Sequence, residues 1–388
     1  MDSSSPVPRV PLLLSPIALR GITARNRVVV SPMCQYSSAD GGPNDWHLVH
    51  LGKFALGGAG IVFCEETVVE ERARKTYHCA GIYNDNHTPM YRRITDFLRA
   101  NGSLPAIQLG HAGRRGSCGP PWKNFAPLTS DDAKEGEAPW PTVSASPLPV
   151  RAGAPMPIEL SLDDIKIVVA AWRDAARRSV EAGFDICEIH GAHGYLIHQF
   201  LSPLANRRTD AYGGDAAGRM RLALEIASAV RGVWPDDKPL FFRVSAVDGS
   251  GGAWGIDDTV SLASELKQRG IDVITCSSGG IDGPLVGAVV PRVPGYQVPY
   301  AERVRADASI MSCAVGLITE PQQAEDILER GQADLIALAR ELMYNPNWPV
   351  HAARALGHEG YLDLLPPAYA WWLKRREQTR ELSARTQS

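Results

Sequence analysis

Short apolar, β-branched runs alternate with amphipathic segments along most of the 388-residue chain, and this alternation constrains the fold more than any other feature. Strands followed by helices build a parallel sheet that is covered on both faces. The pattern therefore predicts an α/β fold, a closed (β/α)8 TIM barrel. An open doubly wound sheet is the runner-up, disfavoured because no GxGxxG follows any predicted strand. The predicted strands are residues 27–32, 61–66, 105–110, 185–190, 240–246, 272–278, 309–315 and 333–339.

Helical patterns lie between these runs, and four of them end at a glycine, where a helix C-cap is common. They are residues 163–183, 219–233, 257–270 and 320–331. We expect a single domain over 1–388, with a barrel core at about 12–357 and a tail at 358–388. Two long stretches, 116–157 and 279–299, follow the third and sixth predicted strands. Their aromatic residues favour packed lids over the carboxyl ends of the strands, where barrel active sites lie.

The composition excludes several classes of partner. A formal net charge of −3 gives no electrostatic basis for binding nucleic acid or an anionic membrane. No apolar stretch approaches the roughly 20 residues that span a bilayer, and the N-terminus lacks the basic region of a signal peptide. The seven cysteines include no CxxC pair, which is typical of reduced thiols. We expect a cytoplasmic enzyme without disulfides or structural zinc.

Glycine-containing turns follow the sixth and seventh predicted strands, and an arginine begins the helix after the eighth. The turns include Ser278, Gly280 and Gly316, and the arginine is Arg340. Backbone N–H groups at such turns, together with a guanidinium, bind phosphate well. Ordinary turn glycines are the alternative, which the combination at neighbouring strands disfavours. We therefore expect a phosphate pocket here.

The loop HGAHGYL after the fourth predicted strand supports three chemistries. His190 and His193, with His111 as a third ligand, could hold a divalent metal for hydrolysis. Cys34 with a distant histidine could act as a nucleophile, although the local signature of a cysteine hydrolase is missing. Alternatively, the histidines bind a carbonyl oxygen and Tyr195 donates a proton. This third chemistry needs an external source of hydride, which a phosphorylated cofactor would supply.

Seven motifs, in order along residues 12–357, resemble the Old Yellow Enzyme family of FMN-dependent ene-reductases, specifically its thermophilic-like branch. They are SPMCQYS (31–37), QLGHAGRR (108–115), EIHGAHGYLIHQFLSPLANRRTDAYGG (188–214), RVSAVD (243–248), GYQVPYA (295–301), AVGLIT (314–319) and ALARELMYNP (337–346).

The resemblance implies a set of cofactor-binding residues around non-covalently bound FMN. Cys34 would lie near the flavin N5/O4 edge and tune its potential. Gln108 would bind the pyrimidine edge, and the fixed charge of Arg243 would stabilise the anionic reduced ring. The other residues of this implied set are Ser31, Pro32, Met33, Glu66, His190, Ser278, Gly280, Gly316, Ala339 and Arg340.

The resemblance also implies a ping-pong mechanism. NADPH or NADH reduces FMN and leaves, and an enone or enal then stacks on the flavin. His190 and His193, with Tyr36, would bind its carbonyl oxygen while Cβ accepts hydride. Tyr195 would then protonate Cα from the opposite face. Arg115 would also contact the substrate. Metal-dependent hydrolysis at His190, His193 and His111 remains the alternative class, and a non-enzymatic binding barrel is a distant third.

Glu66 departs from the family pattern, which usually has a small residue, commonly alanine, at this place beside the flavin. Two outcomes are equally expected: an added acid near the flavin, or a side chain that turns away to pair with Arg72 or Arg74. Arg115 replaces a common lysine, and Ala339 replaces a frequent glycine.

The branch tends to complete each active site with a C-terminal arginine of a neighbouring subunit. We therefore expect a homodimer or homotetramer, with Arg375, Trp371 and Trp372 as candidates for this role.

Overall fold

The computed structural model describes residues 10–249, 253–281 and 292–387, with side chains to residue 383. Twelve strands lie in these ranges. They are β1 (Ile17–Leu19), β2 (Ile22–Ala24), β3 (Val28–Val30), β4 (Ile61–Val68), β5 (Leu104–Gly110), β6 (Val143–Ser144), β7 (Ile158–Glu159), β8 (Ile186–Gly191), β9 (Leu240–Ser245), β10 (Val273–Ser277), β11 (Met311–Val315) and β12 (Leu335–Leu338).

Eight of these strands form a closed barrel in the order β3, β4, β5, β8, β9, β10, β11 and β12. Every neighbouring pair is parallel, and β12 returns to β3 with Ile336 opposite Val28. The barrel strands coincide with the eight predicted ones to within two residues at almost every end. The (β/α)8 barrel prediction is confirmed, and the open-sheet alternative is wrong.

Helices surround the barrel. They are α1 (Asp45–Leu56), α2 (Thr88–Ala100), α3 (Leu162–Glu181), α4 (Leu196–Leu201), α5 (Ala216–Arg231), α6 (Ile256–Gln268), α7 (Val298–Asp307), α8 (Pro321–Glu329), α9 (Arg340–Tyr344), α10 (Trp348–Ala355) and α11 (Pro367–Gln387). Helix α3 illustrates the local signals. Ser161 and Asp164 form a capping box at its start, and Gly183 takes a left-handed φ of +84° just past its end.

The amino-terminal end of the barrel is closed by a hairpin that the sequence pattern did not reveal. Strands β1 and β2 pair antiparallel, and their Ile17, Leu19 and Ala24 join the apolar cluster that fills the barrel interior. Phe63 and Phe241 meet in that interior with ring centroids 5.8 Å apart. Because apolar side chains occupy this end, polar groups gather at the other, carboxyl-terminal end.

The first predicted lid, 116–157, folds over the carboxyl-terminal end and contains β6. Its Trp140 donates from Nε1 to the carbonyl of Arg72 at 3.2 Å. Trp122 and Phe125 lie edge-on to Tyr36 at 5.9 and 6.2 Å, yet Trp122 is 68% exposed. The inner side of this lid thus packs against Tyr36, and its outer side is exposed. Residues 282–291 of the second predicted lid lie outside the described residues.

All seven cysteines are free in the structure, and six of them are buried. Within the described ranges, no helix is long and apolar enough to cross a membrane.

Replacing Phe241 by alanine tests the packing of the barrel interior. Phe241 is fully buried, so the change leaves a cavity and should lower the free energy of unfolding by about 3–5 kcal/mol. Guanidinium denaturation measures this loss. The control is Phe97→Ala on α2, where the ring is 37% exposed and the loss should be clearly smaller. Equal losses for the two variants would contradict the assignment of the core.

Candidate active site

A cavity of about 690 Å³ opens at the carboxyl-terminal end of the barrel. Its wall includes Lys75, Arg115, His193, Tyr195 and Ser278. These residues come from the loops after β4, β5, β8 and β10, so one rim of the barrel brings together residues far apart in sequence.

The two histidines of the HGAHGYL loop contact each other. His190 is the residue before the end of β8. His193 follows in a left-handed turn with φ +60°, which is held because its backbone N–H donates to Ser245 Oγ at 2.9 Å. The ring nitrogens His190 Nε2 and His193 Nδ1 are 3.3 Å apart, and His193 Nε2 lies 2.7 Å from Ser277 Oγ. Burial, with added repulsion from nearby cations, lowers the pKa of both imidazoles well below 6.5. Both rings are therefore neutral at physiological pH.

A buried histidine–aspartate pair supports this loop. His198 Nε2 lies 2.9 Å from Asp248 Oδ1, and its Nδ1 accepts from the backbone N–H of Gly194 at 2.9 Å. Both side chains are fully buried. Asp248 belongs to the motif RVSAVD. The sequence did not reveal that it orients His198, because only the fold brings the two residues together.

Tyr195 directly precedes α4, and its ring centroid lies 5.1 Å from that of His190. Lys75 Nζ lies over the Tyr195 ring, also at 5.1 Å. Burial raises the pKa of the Tyr195 phenol above 10, and the ammonium of Lys75 offsets part of that rise. The phenol is therefore protonated and able to donate.

Tyr36 is a second tyrosine beside Lys75, with its ring centroid 5.9 Å from Nζ. Its backbone is left-handed, with φ +52°, which turns the side chain toward the lid. Burial raises the pKa of this phenol as well, so Tyr36 can act as a hydrogen-bond donor.

Glu66 points into the barrel mouth because β4 contains a bulge. The register between β4 and β5 shifts between Phe63 and Glu66, so Glu66, and not Glu65, lies opposite Gln108. Glu65 then faces outward, with Oε1 3.2 Å from His47 Nε2.

The Glu66 carboxylate forms an ion pair with Lys75, and both side chains are almost fully buried. Glu66 Oε2 also lies 4.0 Å from Cys34 Sγ, and Lys75 Nζ donates to that sulfur at 3.2 Å. The expected pairing of Glu66 with Arg72 or Arg74 is wrong.

The two arginines are engaged elsewhere. Arg72 pairs with Glu70 and Arg74 with Glu71. Lys75 was missed because it lies in an irregular loop without a motif. The one available signal was that Glu66, at the end of a predicted buried strand, requires a cation when buried.

Arg243 and Gln108 face the barrel axis and fit a flavin ring. Arg243 donates to Ser31 Oγ at 3.0 Å, while its buried Nε has no hydrogen-bond partner among the described residues. Gln108 Nε2 donates to Glu188 Oε1 at 2.7 Å, which fixes the amide orientation. A buried cation with a donor to spare suits an electron-rich ring that becomes anionic on reduction.

The expected phosphate pocket also has a suitable shape. Gly280 and Gly316 have φ of +100° and +117°, and a Cβ at either would lie 2.7 Å from a neighbouring atom. These contacts are with His193 and the Gln297 side chain, and the positive φ at both positions favours glycine. Ser278 is buried beside them, Ala339 precedes α9, and Arg340 at the first residue of α9 is exposed.

The remaining predicted residues fall in three places. Pro32, Met33 and Cys34 follow β3 at the rim, half-buried. Arg115 lies in the cavity wall and contacts the carbonyl oxygen of Gly280. Arg375 is on α11, with its guanidinium 4.5 Å from the Trp371 ring centroid.

His111 does not join His190 and His193. Its Nε2 lies 2.8 Å from Glu70 Oε1, and its Nδ1 accepts from the Gly113 backbone at 2.9 Å. No cluster of three or more metal-ligating side chains occurs among the residues that the structure describes. The three-histidine metal site is therefore not assembled.

Comparisons with known proteins agree with this geometry. Residues 12–359 match the family described as NADH:flavin oxidoreductase / NADH oxidase. The NADPH dehydrogenase of Geobacillus sp. (strain WCH70) is 42% identical over 348 residues, which cover 89% of this chain and 95% of that protein. The NADPH dehydrogenase of Listeria innocua is 42% identical over 347 residues, with the same two coverages.

Among solved structures, morphinone reductase in complex with tetrahydroNAD has a TM-score of 0.73 and 25% identity, and the match covers 89% of this chain and 92% of that one. The resemblance to the Old Yellow Enzyme family is confirmed, and with it an enzyme that uses FMN and a nicotinamide reductant. The chain belongs to the NADH:flavin oxidoreductase / NADH oxidase family and is an FMN-dependent NAD(P)H oxidoreductase of the Old Yellow Enzyme type.

Proposed function

We propose that this oxidoreductase reduces the C=C bond of α,β-unsaturated carbonyl compounds such as enones and enals. The observation that carries the proposal is the convergence of two neutral imidazoles and a protonated phenol at one wall of the cavity. Neutral donors stabilise an oxygen that gains negative charge without holding a fixed anion in the resting state.

When bound and reduced by NADPH or NADH, FMN supplies the hydride that the alkene accepts. We propose that the barrel rim holds it through the polar and glycine positions described above. These are Ser31, Pro32, Met33, Cys34, Glu66, Gln108, His190, Arg243, Ser278, Gly280, Gly316, Ala339 and Arg340.

The chain's own residues bind the substrate oxygen and deliver a proton. His190 and His193 would share the carbonyl oxygen, since their ring nitrogens lie within 3.3 Å of each other. Tyr36 and Arg115 would contact the same molecule from the lid side and the cavity wall. Tyr195 would donate its phenolic proton to Cα, so that its O–H bond breaks as the C–H bond forms.

Assembly into a homodimer or homotetramer belongs to the same proposal. Trp371 and Trp372 are 51% and 68% exposed on α11, next to Arg375. These residues are the candidates for completing the cavity of an adjacent subunit.

Cofactor content tests the first requirement. Purified protein should be yellow or become yellow on addition of FMN, and it should bleach anaerobically with NADPH. Arg243→Met should weaken FMN binding at least tenfold, because the fixed cation that faces the ring is lost. Fluorescence titration of FMN-free protein measures the dissociation constant. Unchanged affinity would contradict the assignment of Arg243.

Tyr195→Phe separates the two half-reactions. Reduction of bound FMN by NADPH should be nearly unchanged, whereas reoxidation by an enone should slow by roughly 10²-fold or more, as expected for loss of a general acid. Anaerobic stopped-flow absorbance follows both steps. Equal slowing of both would show that Tyr195 is not simply the proton donor.

The pH dependence tests the neutral state of the histidines. As pH falls from 8 to 6, neither imidazole should take up a proton, because burial holds both pKa values well below 6.5. Reoxidation of reduced enzyme by an enone should therefore stay constant across this range. A limb centred near the ordinary imidazole pKa would contradict the neutral pair.

A further inference from the structure

The buried Glu66–Lys75 ion pair lies at the wall of the active-site cavity and is not explained by stability. Its side chains are 3% and 2% exposed, and desolvating two such charges costs about as much as their attraction returns. Lys75 also lines the cavity directly. A costly charge pair at a reaction site points to a role in the reaction.

Groups from three elements face the Lys75 ammonium. The loop after β3 contributes Cys34, with Sγ at 3.2 Å, and Tyr36, with its ring at 5.9 Å. Strand β4 contributes Glu66, and the residue before α4 contributes Tyr195, with its ring at 5.1 Å.

The nearby thiols do not balance the ammonium. Burial raises the pKa of Cys34 to about 12 and raises that of Cys79, in the loop of Lys75 itself. Both thiols are therefore neutral near pH 7, and Glu66 supplies the balancing charge.

Glu66 keeps Lys75 charged. Burial alone lowers the pKa of a lysine, but the ion pair with the Glu66 carboxylate opposes this effect, and the pKa of Lys75 lies well above 10.5. The bulge in β4 aims Glu66 at this point. The Lys75 ammonium is thereby held over the ring of Tyr195 and is shielded from solvent.

We propose that Lys75, held by Glu66, is a positioning residue that acts through Tyr195 by stabilising the phenolate left after proton delivery to Cα. This rests on the proposed function, because it takes Tyr195 as the acid. The proton passes from the phenol oxygen to Cα of the enolate, and the phenolate later regains a proton from water. A cation on a ring face attracts a neutral phenol weakly and a phenolate strongly. The stabilisation therefore grows as the proton leaves, which lowers the barrier.

Four variants test the proposal in the holoenzyme. They are Lys75→Met, the double variant Glu66→Gln/Lys75→Met, Tyr195→Phe, and the triple variant that combines Tyr195→Phe with Glu66→Gln/Lys75→Met. Lys75→Met should slow reoxidation by an enone about tenfold or more and lower the melting temperature, because Glu66 is left buried and unpaired. The double variant Glu66→Gln/Lys75→Met should regain thermal stability yet remain slow. Lys166→Met, which removes an exposed lysine paired with Asp163 on α3, is the control and should match the wild type.

The Tyr195→Phe background shows whether Lys75 acts through Tyr195. There, removing the ion pair should cause no further slowing of reoxidation. Additive slowing, or full recovery of the rate in Glu66→Gln/Lys75→Met, would overturn the proposal, because Lys75 would then act independently or only neutralise Glu66. If Tyr195→Phe alone leaves reoxidation unchanged, the proposed function itself fails.

A readout independent of turnover uses a polyfluorinated tyrosine at position 195, whose phenol ionises at lower pH. Its ¹⁹F resonance reports the protonation state in the folded holoenzyme. In the Glu66→Gln/Lys75→Met background the midpoint of this titration should move to higher pH. An unmoved midpoint would overturn the proposal.

Discussion

Closure of the barrel is the constraint on which the rest of the structure depends. Strand β12 pairs with β3 across more than 300 residues of sequence, and this pairing makes the eight parallel strands one ring. All their carboxyl ends then meet at one rim. Because apolar side chains and the β1–β2 hairpin fill the other end, buried polar groups have one place to gather. At that place Gln108 of β5 donates to Glu188 of β8, and Arg243 of β9, which lies opposite His190 in the sheet, donates to Ser31.

Much of this was predictable because strand and helix patterns are local. Each barrel strand is an apolar run bounded by turn residues, and the histidine loop is recognisable from its composition. The hairpin β1–β2 was missed because each strand has three residues, too few for a pattern. The bulge in β4 was missed because a register shift is set by pairing with β5 and not by the residues of β4 alone. That shift determines which of two adjacent glutamates faces the barrel interior. The orientation of the Glu66 side chain could therefore be learned only from the structure.

The site combines neutral and charged groups in an order that burial explains. Deep burial keeps His190, His193 and Cys34 uncharged, since no compensating charge lies against them strongly enough to ionise them. Lys75 remains charged because Glu66 accompanies it. The result is a cavity wall with neutral imidazoles and a cation over the ring of Tyr195, the proposed proton donor. A chain with this arrangement is suited to a reaction in which charge appears transiently on substrate and on Tyr195.

We propose that Tyr195 delivers the proton to Cα within the active-site cavity. Reduction of a 2-substituted cyclic enone in D₂O, followed by NMR and chiral analysis of the product, tests it most directly. We expect one deuterium at Cα, added from a single face by the wild-type enzyme. We expect this facial selectivity to be lost in Tyr195→Phe. Deuterium added at Cα from both faces by the wild-type enzyme, as for an enolate released to water, would contradict it.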